Sequence, residues 1–297
     1  MDINPRHLAS LEAIAELGTF SAAGEATGRS HSAISLHIKA LEDTLGTILI
    51  DRGARPLSLT GDGIALLEQA QRYRRVMDDI RAISSNRDLA GTLSVGIVPT
   101  VMSRLAPPAL ARMRSSHPAV QFEIRTGLSG ELARAVELGE LDAAVITAPD
   151  LPQDGLSLHP VAEERLVVIA PDGTSGLDDK AVLASAPFIW FSRKTWAGQQ
   201  IERRLLDRGI RVKAAMEVDS LEAIAALVAH GLGVSIVPEG NLPDMRLARL
   251  PFGDPQASRG IVLATRPRSP KGRLTDAFLS GLRAAAGTAA GSSAPGS

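Results

Sequence analysis

Apolar residues recur over the first sixty positions at the three-and-four spacing of helices that bury one face. Asn4 and Pro5 form an N-cap and first-turn pair, and Leu8, Leu11, Ala15 and Gly18, widened by Ile14 and Leu17, predict a helix over about 5–17. Ser21 is read as the cap of a short second helix carrying Ala22, Ala23 and Gly24, with Gly28 as its stop. Ser30 caps a third helix, in which Ile34, Ile38, Leu41 and Leu45 line one core face. After Gly46 the run Thr47 to Asp51 leads into Arg52, Gly53, Ala54, Arg55 and Pro56, then an alternating Leu57-Ser58-Leu59, which fits a small wing.

Two helices joined by a tight turn offer one helix N-terminus to the major groove of DNA. The candidate contacts are therefore Arg29, Ser30, His31, Ser32, Ser35, Leu36 and Lys39 on the turn and third helix, with Arg52 and Arg55 on the wing. This places a DNA-binding domain over residues 1–60.

Thr60 opens a long helix expected to run to about Asn86, giving a linker over 61–88. Leu66, Ala70, Tyr73, Met77 and Ile80 alternate in steps of four and three, a heptad seam that asks for a partner helix. Packing of this seam against the chain's own body is the alternative to pairing with a second copy.

From Gly91 onward short apolar strands alternate with helices, the pattern of a parallel sheet built from βαβ units. Strands are expected at 93–98, 120–125 and 142–147, with helices at 104–116 and 131–140 between them. A second unit begins near Val161, and strand 260–265 with helix 274–285 closes the pattern. The assignment is a two-lobed body over 89–287, lobe I at about 89–160 and 266–287 and lobe II at about 161–265, followed by an Ala-, Gly- and Ser-rich disordered tail at 288–297. Ligands in such sheets sit outside the carboxyl ends of strands, near helix N-termini. That rule selects Pro99, Thr100, Ser103, Leu128, Ser129 and Thr147 from one lobe and Arg193, Thr195 and Trp196 from the other, with Thr100 foremost and Arg193 a source of positive charge for an anionic carboxylate.

These motifs resemble those of the LysR-type transcriptional regulators. The resemblance rests on Ala22-Ala23, Ser30, Ser35, Ile38, Leu41-Glu42, Leu45-Gly46, Arg52, Leu59-Thr60 and Gly63, and continues through Gly91–Gly96, His117-Pro118, Gly139–Ala144 and Gly231–Val234. It implies a winged helix-turn-helix followed by a periplasmic-binding-protein-like effector domain of α/β class. It also implies hydroxyl ligands at Thr100 and Thr147, a further contact at Thr195 or Trp196, and a tetramer built as a dimer of dimers. Three positions depart from the family pattern: Thr27 at an apolar site, Leu36 where Arg or Gln is usual, and Ile50 where Phe is usual.

Composition changes this picture little. At 297 residues and 44% hydrophobic, the chain can bury more than one core. Residues 1–60 hold five Lys or Arg against seven Asp or Glu, so bulk charge opposes nucleic acid; placement rescues it, because Arg29, Lys39, Arg52 and Arg55 cluster on the turn, third helix and wing. The absence of cysteine excludes disulfides and thiol chemistry. The six histidines show no metal-ligand spacing, and Gly127-Leu128-Ser129-Gly130 misses the nucleophile-elbow register by one residue. No catalytic residue, metal or cofactor is expected. Asp2, Arg6 and Glu12 break any apolar leader and no stretch reaches transmembrane length, so a cytoplasmic protein is expected. The expectation is a ligand-responsive regulator, not an enzyme, whose partners are double-stranded DNA, a small-molecule effector and its own copies as a homodimer or homotetramer, with no membrane. The rivals are a solute-binding protein or an enzyme whose N-terminal helices do not bind DNA.

Overall fold

The computed structural model describes residues 3–84, 89–243 and 245–291. Two compact units divide at residues 84 and 85.

The first unit is α1 (Pro5–Leu17), α2 (Phe20–Thr27), α3 (His31–Leu45), the two-residue strands β1 (Ile50–Asp51) and β2 (Ser58–Leu59), and α4 (Gly61–Ser84). Its core is Leu11, Ile14, Ile34, Ile38, Leu41, Leu49 and Ile50, all essentially inaccessible. Each such aliphatic side chain contributes about 1.5–3 kcal/mol by leaving water. Ala15 is exposed and Gly18 closes α1 in the left-handed region at φ 70°, so the buried stripe runs through Leu11 and Ile14. Asn4 and Ser30 cap α1 and α3 as their types predict. The cap of α2 is Thr19, whose hydroxyl accepts from the Ala22 amide; Ser21 lies inside the helix, because Thr19 already holds the extended conformation that a cap needs. Thr27 occupies an apolar family position without harm, since its hydroxyl donates to the Ala23 carbonyl at 2.7 Å.

Two glycines mark places where backbones touch. A Cβ on Gly24 would stand 2.6 Å from the Arg29 carbonyl oxygen, so the turn between α2 and α3 closes only around a residue without a side chain. A Cβ on Gly63 would stand 2.1 Å from the Leu49 oxygen, the same oxygen that accepts from the Thr60 amide. Thr60 also donates its hydroxyl to the Ile48 carbonyl and accepts from the Gly63 amide, which straps the start of α4 to the base of the wing.

The heptad seam of α4 divides. Ala70 is 2% exposed and Leu66 is partly buried against the three-helix core, with Arg74 bridging to Glu12 of α1 at 3.7 Å. This half packs on its own unit. Tyr73 and Ile80 stay exposed, Met77 partly so, and the exposed Val76 joins them at helical spacing. The expected extension to Asn86 lies outside the described residues, as do 85–88 of the linker.

The second unit runs β3 (Gly91–Ile97), α5 (Pro99–Met102), α6 (Ala106–Ser116), β4 (Val120–Thr126), α7 (Ser129–Glu137), β5 (Ala143–Thr147), β6 (Ser157–Pro171), α8 (Asp179–Ser185), β7 (Phe188–Phe191), α9 (Trp196–Asp207), β8 (Ala214–Val218), α10 (Leu221–Ala229), β9 (Ser235–Pro238), a 3₁₀ turn at Glu239–Asn241, β10 (Leu247–Pro251), β11 (Ser258–Thr265) and α11 (Gly272–Gly291). Strands β4, β3 and β5 are parallel neighbours, and β11 runs antiparallel between β5 and β6. Beyond Arg165, β6 leaves β11 and pairs instead with β9 and β10. Two hydrophobic cores flank this handover, one spanning 93–162 with 261–285 and one spanning 166–252.

Lobe II therefore ends near residue 258, earlier than the expected boundary at about 265: Ile261 to Ala264 pack in the first core and pair with β5. One strand of 15 residues carries the crossover near Val161, and β10 was not anticipated, being only five residues long with no fully buried position. Helix α11 continues through Gly291, past the start of the expected tail, because Ala284 to Ala286 and Thr288 to Ala290 are mostly strong helix formers. Residues 292–297 lie outside the described residues.

Replacing Gly63 by Ala is expected to destabilise the first unit by about 1–3 kcal/mol, the range for forced overpacking. Urea unfolding of the full chain followed by a probe in residues 3–84 checks this; a change below about 0.5 kcal/mol would mean the approach to Leu49 is relieved at no cost.

Candidate functional site

The exposed face of α3 is a stripe. Ser32, Ser35, Leu36 and Lys39 stand at i, i+3, i+4 and i+7, opposite buried Ile34, Ile38 and Leu41. Ser30, His31, Ser32 and Lys39 are exposed, Arg29 and Ser35 partly so, and Leu36 is 65% exposed. The sequence candidates on this helix thus share one surface. His31 lies edge-on to Phe20 at 5.4 Å. His37 stacks on His7 at 4.5 Å and shares a 2.8 Å hydrogen bond with Ser10; its pKa is held below the ordinary imidazole value by burial first, then by His7, Arg29 and Arg6. On the wing, Arg55 is exposed, whereas Arg52 donates to Glu42 at 3.1 Å. Glu42 also accepts from the Leu49 amide at 3.0 Å, so one carboxylate at the end of α3 holds both the strand and the wing arginine.

In the second unit a cavity of about 240 Å³ opens at the carboxyl ends of strands from both lobes. Val98, Pro99 and Thr100 line it after β3, Thr126 to Ser129 and Glu131 after β4, and Thr147 at the end of β5; Phe191, Thr195, Ala197 and Asp219 face it from lobe II, and Arg259 from β11. Of the nine sequence candidates, Pro99, Thr100, Leu128, Ser129, Thr147 and Thr195 are brought together here.

Ser103, Arg193 and Trp196 are not in the lining. Ser103 turns its hydroxyl back to the Thr100 carbonyl. Arg193 is held outside by Glu217 and Glu202 and lies over the Trp190 ring at 5.0 Å. The amide and then the guanidinium of Arg193 in turn keep the Glu217 carboxyl below its usual range. Trp196 packs against the first core and meets Gly130 of α7 across the lobes.

Several hydroxyls in the lining are already engaged. Thr195 caps α9, accepting from the Gly198 amide and donating to the Ser192 carbonyl. Ser129 accepts from the Thr147 amide and is the first residue of α7, while Leu128 holds the cap position with no side-chain hydrogen bond. Thr100 accepts from Arg259 Nη2 at 2.9 Å.

Sequence reasoning missed the charged residues of the lining, Glu131, Asp219 and Arg259, of which Arg259 is buried. It is 2% exposed and faces Glu164 directly across the β11–β6 ladder, bonding one carboxylate oxygen at 2.8 and 2.6 Å; Arg104 reaches the other oxygen at 3.3 Å. The Arg104 guanidinium lies hard against Gly240 of lobe II, where a Cβ would come within 2.4 Å of it. No local motif announces this group, since its members are 60 and 95 residues apart in sequence. The only available signal was an isolated arginine in an otherwise apolar strand pattern.

Residues 5–64 match the family model described as a bacterial regulatory helix-turn-helix protein of the lysR family, and residues 86–287 match the LysR substrate binding domain. The chain belongs to the LysR family of DNA-binding transcription regulators. Among the relatives of this LysR-type regulator, a probable hydrogen peroxide-inducible genes activator of Mycobacterium avium is 30% identical over 277 residues, covering 88% of each chain. The HTH-type transcriptional regulator CzcR of Bacillus subtilis is 28% identical over 235 residues, 79% of this chain and 80% of its own. The structure of a Corynebacterium glutamicum OxyR C206 mutant superposes with a TM-score of 0.66 at 25% identity, covering 98% of this chain and 95% of that one. Among the described residues no helix is long and apolar enough to cross a membrane, and no group of three His, Cys, Asp or Glu residues could hold a metal.

Substituting Glu164 by Leu alone is expected to destabilise the second unit by about 3–5 kcal/mol, because it strands Arg259 as a buried unpaired charge. The double variant Glu164→Leu, Arg259→Met should recover most of that loss. Equal loss in the single and double variants, read from thermal unfolding, would show that the pair is not what holds the crossover.

Proposed function

We propose that this regulator reads DNA through the Ser32–Ser35–Leu36–Lys39 face of α3, assisted by Arg29, Ser30, His31, Arg55 and the outer part of Arg52, and that a small effector in the interlobe cavity controls it. The supporting observation is the cavity itself: hydroxyls and amides from both lobes converge where open α/β sheets bind ligands. Its volume lies below the roughly 300 Å³ at which pockets for drug-sized ligands begin, so the effector is a small metabolite. The chain works by binding, not by catalysis, in the cytoplasm where its DNA is found. The exposed Tyr73–Val76–Ile80 stripe of α4 supports pairing of two copies, which places two recognition helices on neighbouring half-sites.

The charge balance of the lining redirects the expectation of an anionic carboxylate. Glu131 and Asp219 present exposed carboxylates, whereas Arg259 is already neutralised by Glu164 and Arg193 points elsewhere. A carboxylate effector would meet two like charges with no uncommitted cation. The two carboxylates favour a polar effector without net negative charge, such as an amide, polyol or amine, against the pull of the α7 and α9 N-termini for an anion. A peroxide response through thiol oxidation does not transfer to this chain, which contains no cysteine.

Binding of the full chain to duplex DNA across a salt series should give a negative log–log slope, reduced by about one per subunit in Lys39→Ala. Absence of duplex binding even at low salt would remove the regulator reading. For the cavity, a thermal-shift screen of small amines, amides and polyols beside matched carboxylates should stabilise the wild type with members of the uncharged or cationic set, and the shift should shrink in Thr100→Val. Stabilisation by carboxylates alone would overturn the charge argument, and equal shifts in both proteins would move the site.

A further inference from the structure

Leu36 sits in the centre of the exposed α3 stripe, in its second turn, 65% exposed between Ser32, Ser35 and Lys39. Single leucines on a surface are ordinary. This one occupies the face that, on the reading above, meets base edges, and its neighbours at i−4 and i−1 are serines too short to shield it. It has nothing to offer a phosphate, and it offers no hydrogen bond to a purine edge. Lys39 can serve a phosphate or a guanine edge, and the serine hydroxyls accept or donate to any base. Leu36 is the one apolar element of the stripe. On the floor of the major groove the matching apolar group is the C5-methyl of thymine.

We propose that Leu36 reads a thymine methyl, so that each half-site carries a thymine under the second turn of α3. The inference rests on the DNA-binding reading of α3 and extends it from where the protein binds to which base it selects. Burying one methyl is worth about 0.8 kcal/mol, which corresponds to roughly fourfold in affinity.

The test begins with selection of a binding sequence from random duplexes by the full-length protein at fixed salt. Each thymine of the recovered half-site is then replaced singly by deoxyuridine, which removes the methyl and leaves every hydrogen-bonding group in place. The wild type should lose about fourfold in affinity at one thymine of each half-site, and Leu36→Ala should show no loss at that position while its melting temperature stays unchanged. Wild-type indifference to every replacement, or the same loss in Leu36→Ala, overturns the proposal, as does a recovered half-site without thymine. A Leu36→Ala protein with unaltered DNA affinity but an altered oligomeric state overturns it in favour of a protein surface at this face. Enrichment of no sequence at all overturns the DNA-binding reading together with this one.

Discussion

The effector body depends on a pair of opposite charges placed where two strands change lobes. Arg259 and Glu164 face each other across β11 and β6 at the point where β6 gives up one partner for two others. Removing both groups from water is expensive, and only close geometry with every lone pair and N–H engaged offsets it. The protein approaches that condition by recruiting Thr100 and Arg104 to the same two residues. One Arg104 nitrogen, Nε, remains buried without a hydrogen-bond partner among the described residues, so the arrangement is tight but not saturated. A cavity-lining hydroxyl and the crossover ladder thus share one charged centre, which ties Thr100 to the segment that passes between the lobes.

In the first unit the corresponding constraint is steric. Helices α2 and α3 meet only because Gly24 lets the Arg29 carbonyl approach, and α4 leaves the wing at a fixed angle because Gly63 lies against Leu49. The core isoleucines and leucines supply most of the favourable energy, while the glycines and the Thr19, Ser30 and Thr60 hydroxyls decide which geometry that energy stabilises. Ile50 fills a position where the family favours phenylalanine and is fully buried there, so volume and apolarity suffice at that site.

Much of this was legible in the sequence because periodicity and caps are local. Ile34, Ile38 and Leu41 announced the inner face of α3, and the rule of strand carboxyl ends selected six residues that do line the cavity. The failures share one cause. Arg193 was offered as a cation for the ligand, but Glu217 and Glu202, 24 and 9 positions away, hold it, and Arg52 on the wing has a partner in Glu42 that its own stretch does not announce. Arg259 was overlooked because its meaning lies in Glu164, across 95 residues. Likewise the α4 seam was read as a single surface, whereas packing on α1 takes its first half. Charge pairing and tertiary packing are non-local, and a one-dimensional pattern records the residue without its counterpart.

Glu42 carries a consequence of its own. By accepting from the Leu49 amide and Arg52 at once, it ties the far end of α3 to the hairpin beside it. On the proposed reading, helix and wing would move together, and the variable left to an effector would be the placement of two such units relative to each other.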